Sequence, residues 1–391
     1  MVQTKSSKAI FSICAFVSAL CLTADLLLLV PAPTYHLWIA AVGVSELSLW
    51  LCLVCAFITA YAVNRWRSGA RSNMDVSLIV IALVAALIAL IPTVQAFIVA
   101  SELKVPLSME TYFFGHDTDL NAVAVTKDVQ YSESAKSPSS MEAPLSLDVY
   151  EMPVHALKAP AVIVVHGGSW RNGRKSDFEA YDRWLATQGY VVFDMDYRHA
   201  DAKTPFPAQL HDVQTAIAWV QKHAKQYSID PDRLGLLGRS AGAQLAVLAA
   251  YTQTVDPSRG NPIKCVVSFY GPMDLTWDYS HTAYPDVIRS KPTLENYLGG
   301  PPSDRAQLYA DASPAEHVTP SVPPTLFVHG GRDQLVLQQN VNLMLPKLRQ
   351  AGVPFEFVDL PWANHGFDVS YNGWGGQIAR HEVNGFLRKY L

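Results

Sequence analysis

The sequence predicts an α/β fold, a mostly parallel sheet with helices on both faces, preceded by a bundle of three transmembrane helices. Three observations predict it. Three long apolar runs fill the first hundred residues, at 9–30, 37–63 and 76–100. From position 144 onward, short apolar segments alternate with longer helical ones. Turns rich in glycine stand directly after several of those segments.

Each apolar run reaches or exceeds the ~20 residues needed to cross a bilayer core. None has the polar stripe that a helix on the surface of a soluble domain carries. Before position 101 there are five basic and three acidic residues, a net charge of +2, which leaves −6 for the rest of a chain totalling −4. A mildly acidic remainder gives no footprint for nucleic acid. Lys5 and Lys8 precede the first run, the connection 31–36 carries no Lys or Arg, and the connection 64–75 carries Arg65, Arg67 and Arg71. Lys and Arg favour the cytoplasmic side, so the expected protein is multi-pass, with everything after Ala100 extracytoplasmic. A first run cleaved as a signal peptide near Ala24 preserves that sidedness. Asp25, Glu46 and Gln95 interrupt the runs; they are expected to face helix partners, since ionisable groups in lipid are costly.

Residues 101–143 read as a linker followed by the first strands, with a loose SAKSPSS stretch at 134–140. The catalytic domain is expected over 144–391, with strands at 145–150, 161–165, 191–194, 234–237, 265–269, 325–328 and 355–359. Helices are expected at 177–188, 207–226, 241–252, 337–351 and 375–390. Short strands without polar alternation, separated by helices, imply a parallel sheet buried on both faces. Sites in such sheets form beyond the carboxyl ends of strands. The segment 274–313, with Trp277, Tyr279, Tyr284 and Tyr297, is expected to form a short cap.

The strongest chemical signal is Gly238-Arg239-Ser240-Ala241-Gly242, between an apolar strand and the helical pattern AGAQLAVLAA. A turn that tight strains the serine backbone and tolerates only small neighbours, and it lifts the hydroxyl clear of the sheet. Ser240 is the expected nucleophile. His166-Gly167-Gly168-Ser169-Trp170 follows the strand at 161–165. Two glycines let backbone N–H groups approach a developing oxyanion, so Gly167, Gly168 and Ala241 are the expected donors and His166 a structural group. Gly331-Arg332-Asp333 and Asn364-His365-Gly366-Phe367 each follow a later strand. A serine needs a base, and the base an orienting group. The chain order serine, acid, histidine assigns His365 as base and Asp333 as acid, with Asp274 the competing acid. Trp170, Tyr270 and Phe367 are the candidate substrate-binding residues. Asp194, Asp196 and Arg198 are expected to form a structural ion-pair network beside the site, and Arg239 a surface salt bridge. The five cysteines offer no disulfide framework or metal spacing; neither metal nor cofactor is expected.

The stretch 161–391 resembles the α/β-hydrolase superfamily, specifically the carboxylesterase/lipase group related to hormone-sensitive lipase, and equally the arylformamidase-type hydrolases. The resemblance rests on HGGSW, DYRHA with FPAQLHDVQTAIAWV, SIDPDRLGLLGRSAGAQLA, SFYGPMDL, SPAEHV, PPTLFVHGGRD and NHGFD. It implies hydrolysis of a small-molecule ester, lipid-like where the bilayer supplies it. The alternatives are an amidase, formamidase or peptidase on the same triad, or a non-catalytic scaffold that binds at the membrane. HGGSW departs from HGGG, and Arg239 stands where lipase-like members often carry an acid. The resemblance does not reach the first hundred residues.

Overall fold

The computed structural model describes residues 5–70, 72–115, 119–132, 144–154, 158–253 and 261–391. The SAKSPSS stretch lies outside the described residues. Four helices open the chain: α1 (Lys5–Asp25), α2 (Tyr35–Glu46), α3 (Ser48–Arg65) and α4 (Asn73–Leu103). The apolar run at 37–63 is therefore not one helix. It breaks at Leu47, whose backbone leaves helical geometry (φ −103°, ψ 13°) between the polar residues Ser45, Glu46 and Ser48. Three helical stretches are long and apolar enough to cross a membrane, Lys8–Leu28, Ser48–Ser68 and Asn73–Leu103; α2 is not one of them. Ser72 and Asp75 form a capping box that starts α4. Asp75 also pairs with Arg65 at 2.7 Å, which closes the turn between α3 and α4. Asp25 is buried, with neither carboxylate oxygen hydrogen-bonded among the described residues.

After the short α5 (Met109–Phe114), eight strands form one sheet. They are β1 (Ala124–Gln130), β2 (Ser146–Glu151), β3 (Ala159–Val165), β4 (Val191–Met195), β5 (Ile229–Arg239), β6 (Ile263–Phe269), β7 (Thr325–Gly330) and β8 (Phe355–Leu360). Their order is β1-β2-β4-β3-β5-β6-β7-β8. β2 is antiparallel to both β1 and β4, and every other neighbouring pair is parallel. The central strands are apolar on both faces because helices cover both. One face packs on α7 (Ala208–Lys222), α8 (Ala241–Tyr251) and α12 (Gln339–Ala351). The other packs on α6 (Glu179–Thr187) and α13 (Trp374–Tyr390), and this core continues into Leu49 of α3 and Ala96, Val99 and Ala100 of α4. The N-terminal helices thus share a core with the sheet. Trp374 joins them: its ring stacks on Tyr112 at 4.2 Å and its indole N–H donates to Thr93 Oγ1 at 3.1 Å. Between β6 and β7 lie α9 (Leu275–Ser280), α10 (Ser290–Leu298) and α11 (Pro302–Asp311), within the segment expected to cap the site.

Candidate active site

Ser240 sits between the last residue of β5 and the first of α8, with φ 53° and ψ −122°. That conformation costs a non-glycine residue of order 1–3 kcal/mol and persists only where its surroundings impose it. They do so here by packing. A Cβ on Gly238 would stand 2.2 Å from Gly242 O, and one on Gly242 would stand 2.2 Å from both Val165 O and His166 O. The turn is therefore wedged between its own helix and the end of β3.

His365, in the loop after β8, brings Nε2 to 2.8 Å from Ser240 Oγ. Its Nδ1 lies 2.7 Å from Asp333 Oδ2. The other oxygen of Asp333 accepts the backbone N–H groups of Leu335 and Val336, at 2.8 and 2.9 Å. Asp333 is fully enclosed. Burial alone would raise its pKa, but His365 and His329 outweigh burial and hold the carboxyl well below the usual carboxylate range. Asp274, the competing acid, caps α9 instead, accepting from the Trp277 N–H at 2.9 Å.

Gly167 and Gly168 lie alongside the turn. A Cβ on Gly167 would meet Arg239 O at 3.0 Å and Ser240 Cβ at 3.2 Å. Gly168 has φ 117°, and a side chain there would strike Asn172 O. The N–H groups of both glycines donate to no loop or turn carbonyl among the described residues. Ala241 opens α8, where a backbone N–H has no partner one turn back. Gly167 and Gly168 line one cleft with Ser240, and Ala241 follows Ser240 directly in the chain. His166 holds the loop: Nδ1 bonds to Gly167 O at 2.7 Å and its ring stacks on Tyr197 at 4.2 Å. Burial pushes its pKa down to about 4, against a smaller upward effect of the bond to Gly167 O.

Two spaces open at Ser240. A narrow pocket runs beside α9 and α10, walled by Trp170, Ile288, Leu294 and Leu335. An open cleft of about 1410 Å³ runs past Gly167, Gly168, Tyr270 and His365. Trp170 thus reaches a pocket, with its ring fixed by stacking on Tyr297 at 4.2 Å and by its N–H on Gln244 Oε1 at 2.8 Å. Tyr270 lines the cleft, with its ring 4.4 Å from His365 and its hydroxyl donating to Asp368 Oδ1 at 2.5 Å. Phe367 does not line either space. It is wholly buried against Phe269, Tyr270 and Gly375, because the strand-end loop turns it into the core.

Arg239 also departs from expectation. It is buried, not on the surface; its Nε donates to Asp368 Oδ2 at 2.6 Å and its guanidinium lies 4.1 Å from the centre of the Phe178 ring. The link Arg239–Asp368–Tyr270 braces the turn and the base loop together. In the network beside the site, Arg198 pairs with Asp212 of α7 at 2.7 Å. Asp194 and Asp196 instead accept the backbone N–H groups of Ser176 and Lys175. Two further residues, to which the sequence assigns no role, meet the site. His329 Nε2 stands 3.1 Å from Asp333 Oδ2 and 2.9 Å from Val336 O, a second imidazole on the same acid. Its place four residues before Asp333 at the end of β7 was the available signal. Asp278, on the wall of the narrow pocket, accepts from Asn340 at 2.5 Å, and burial pushes its pKa up to about 7.

The sequence matches the BD-FAE family over residues 147–348, more than half of the chain. The probable carboxylic ester hydrolase LipM of Mycobacterium tuberculosis is 33% identical over 236 residues, covering 57% of this chain and 53% of LipM. Kynurenine formamidase of Meyerozyma guilliermondii is 28% identical over 204 residues, covering 50% of this chain and 74% of that enzyme. The crystal structure of esterase LipW from Mycobacterium marinum superposes with a TM-score of 0.57 at 24% identity, over 77% of this chain and 88% of LipW. The chain spans about half the length of LipM, and at LipW's level of identity the likeness concerns the fold. Because the family match runs from β2 into α12 and takes in the serine turn, the glycine loop and Asp333, the chain belongs to the BD-FAE family of α/β-hydrolases.

Proposed function

We propose that this chain is a membrane-anchored serine hydrolase that cleaves carboxylic esters through an acyl-enzyme on Ser240. The observation that carries the reading is the relay from Asp333 through His365 to Ser240, at 2.7 and 2.8 Å. In the first step His365 Nε2 takes the hydroxyl proton while Ser240 Oγ bonds to the ester carbonyl carbon. The negative charge on the carbonyl oxygen falls to the N–H groups of Gly167, Gly168 and Ala241. Collapse breaks the bond to the alcohol, which leaves with the proton from His365. Water then repeats the sequence, losing its proton to His365, and frees the acid and Ser240. Asp333 keeps the imidazole in the tautomer that presents a bare Nε2 to the serine.

In this reading residues 1–100 anchor the protein, 101–143 link it, 144–391 perform the chemistry, and 274–313 cap the site. The stretches Lys8–Leu28, Ser48–Ser68 and Asn73–Leu103 cross the membrane. Arg65, Arg67 and Arg71 with Lys5 and Lys8 hold their ends in the cytoplasm and the catalytic domain outside. The resemblance to a formamidase supports a second reading, cleavage of a formyl amide by the same groups. A panel of esters and formanilides on the full chain in nanodiscs tests both. Turnover of esters that Ser240→Ala abolishes is expected; turnover confined to amides would favour the second reading. Protease added to right-side-out vesicles should digest the domain, and a domain protected until permeabilisation would reverse the sidedness.

A further inference from the structure

The helix α2 takes the first part of the apolar run expected to cross the membrane as one span, and it touches the catalytic machinery. At its leading end, Ala32 is stapled to Gln334, the neighbour of the triad acid. The Ala32 N–H donates to Gln334 Oε1 at 2.8 Å and Gln334 Nε2 donates back to Ala32 O at 2.6 Å. At its trailing end the Glu46 carboxylate accepts the Gly375 N–H at 3.3 Å, and Glu46 O accepts the Tyr112 hydroxyl at 2.8 Å. Twelve residues at 1.5 Å each give about 18 Å, too short to cross the ~30 Å hydrocarbon core. Between these two attachments Tyr35 and Trp38 line the same cleft as Ser240 and His365. The Trp38 ring lies 6.4 Å from that of His365 and 5.2 Å from that of Tyr35.

We propose that α2 is a wall of the active site supplied by the anchor, and that Trp38 selects esters whose apolar chain enters the cleft from the bilayer. This rests on the serine-esterase reading above. Three features fix the occupant. The wall is aromatic where it faces the reacting groups, and Ile288 and Leu335 continue the apolar lining. Leu37 and Ile39, 42% and 50% exposed, present apolar surface outward on a helix set between two candidate spans. A helix with apolar surface in that position lies in the membrane interface. Arg171 and Arg289 on the same cleft suit the polar end of such an ester. The ligand is therefore a lipid-like ester with its chain along Trp38 and Tyr35 and its carbonyl at Ser240.

The test uses the full chain in phospholipid nanodiscs with p-nitrophenyl acetate and p-nitrophenyl decanoate. An indole presents roughly 150–250 Å² for contact, enough that Trp38→Ala should lower the decanoate-to-acetate ratio of kcat/KM about tenfold. Tyr35→Ala, at a half-exposed position, should lower the same ratio severalfold and carries the test if the Trp38 variant does not fold. A ratio unchanged in the folded variants would overturn the proposed wall. Ser240→Ala is run beside them: hydrolysis persisting there would overturn the esterase reading itself, a result distinct from any change in the ratio.

Discussion

Replacing Asp333 with Asn exchanges one acceptor oxygen for a donor at the point where two histidines converge. The carboxylate accepts from Leu335 N and Val336 N on Oδ1 and faces His365 Nδ1 and His329 Nε2 on Oδ2. The two backbone donors cannot turn away, so the amide oxygen of the introduced asparagine must take their side. Its NH₂ group then faces both imidazoles. An amide N–H beside His365 Nδ1 stabilises the tautomer protonated on Nε2, the atom that must accept the serine proton at 2.8 Å. The active tautomer becomes rare, and the imidazolium formed in the transition state loses its counter-charge. A change of this kind costs ~10⁴ in kcat, about 5.5 kcal/mol at 1.36 kcal/mol per factor of ten. Asp274→Asn keeps an oxygen that can accept the Trp277 N–H, since Asn and Asp cap helices comparably, and should leave kcat within about threefold. Initial rates on p-nitrophenyl butyrate, with full-length protein in nanodiscs at pH 7, compare the two. An Asp333→Asn enzyme within tenfold of wild type, or a greater loss in Asp274→Asn, would refute the assigned relay.

Arg239→Ala should destabilise the protein by about 3–5 kcal/mol, because it leaves Asp368 buried without its partner; thermal unfolding in detergent measures this, and Arg239→Met with Asp368→Asn should recover part of the loss. Gly242→Ala should abolish folding or activity, since its Cβ would stand 2.2 Å from two carbonyl oxygens of β3 and its loop; soluble, active protein would show that the turn is looser than described. His166 has a folded pKa of about 4, below its unfolded value of ~6.5. Its contribution to stability is therefore complete above pH ~6.5 and is lost as pH falls toward 4, by on the order of 3 kcal/mol. His166→Gln should flatten the decline of the unfolding midpoint between pH 6.5 and 4.

The strands that bear the site were legible because a parallel sheet covered on both faces needs continuous apolar segments. Ser240, Asp333 and His365 all stand in loops after such segments, and glycine neighbours mark the tightest turns. Contacts between distant parts of the chain left no such mark. Arg239 reads as a charged residue beside a turn; the rings of Phe178 and Tyr181 and the carboxylate of Asp368 that enclose it lie far away in sequence. Phe367 follows Gly366 in a loop, and nothing local tells whether its ring turns to the cleft or to the core. The break at Leu47 was partly visible, as Ser45, Glu46 and Ser48 in the middle of an apolar run. Hydropathy sums over them, while the structure uses Glu46 to fasten the N-terminal helices to Gly375.

The central claim is that Ser240 carries the acyl group, and the site of covalent attachment tests it most directly. Trypsin cutting after Arg239 and Arg259 releases a peptide that begins with Ser240 and also contains Ser258. After reaction with a fluorophosphonate, fragment-ion mass spectrometry should place the phosphonyl mass on the first residue of that peptide, and Ser240→Ala should carry none. A modification on Ser258 or on any other residue, or equal labelling of the alanine variant, would contradict the account.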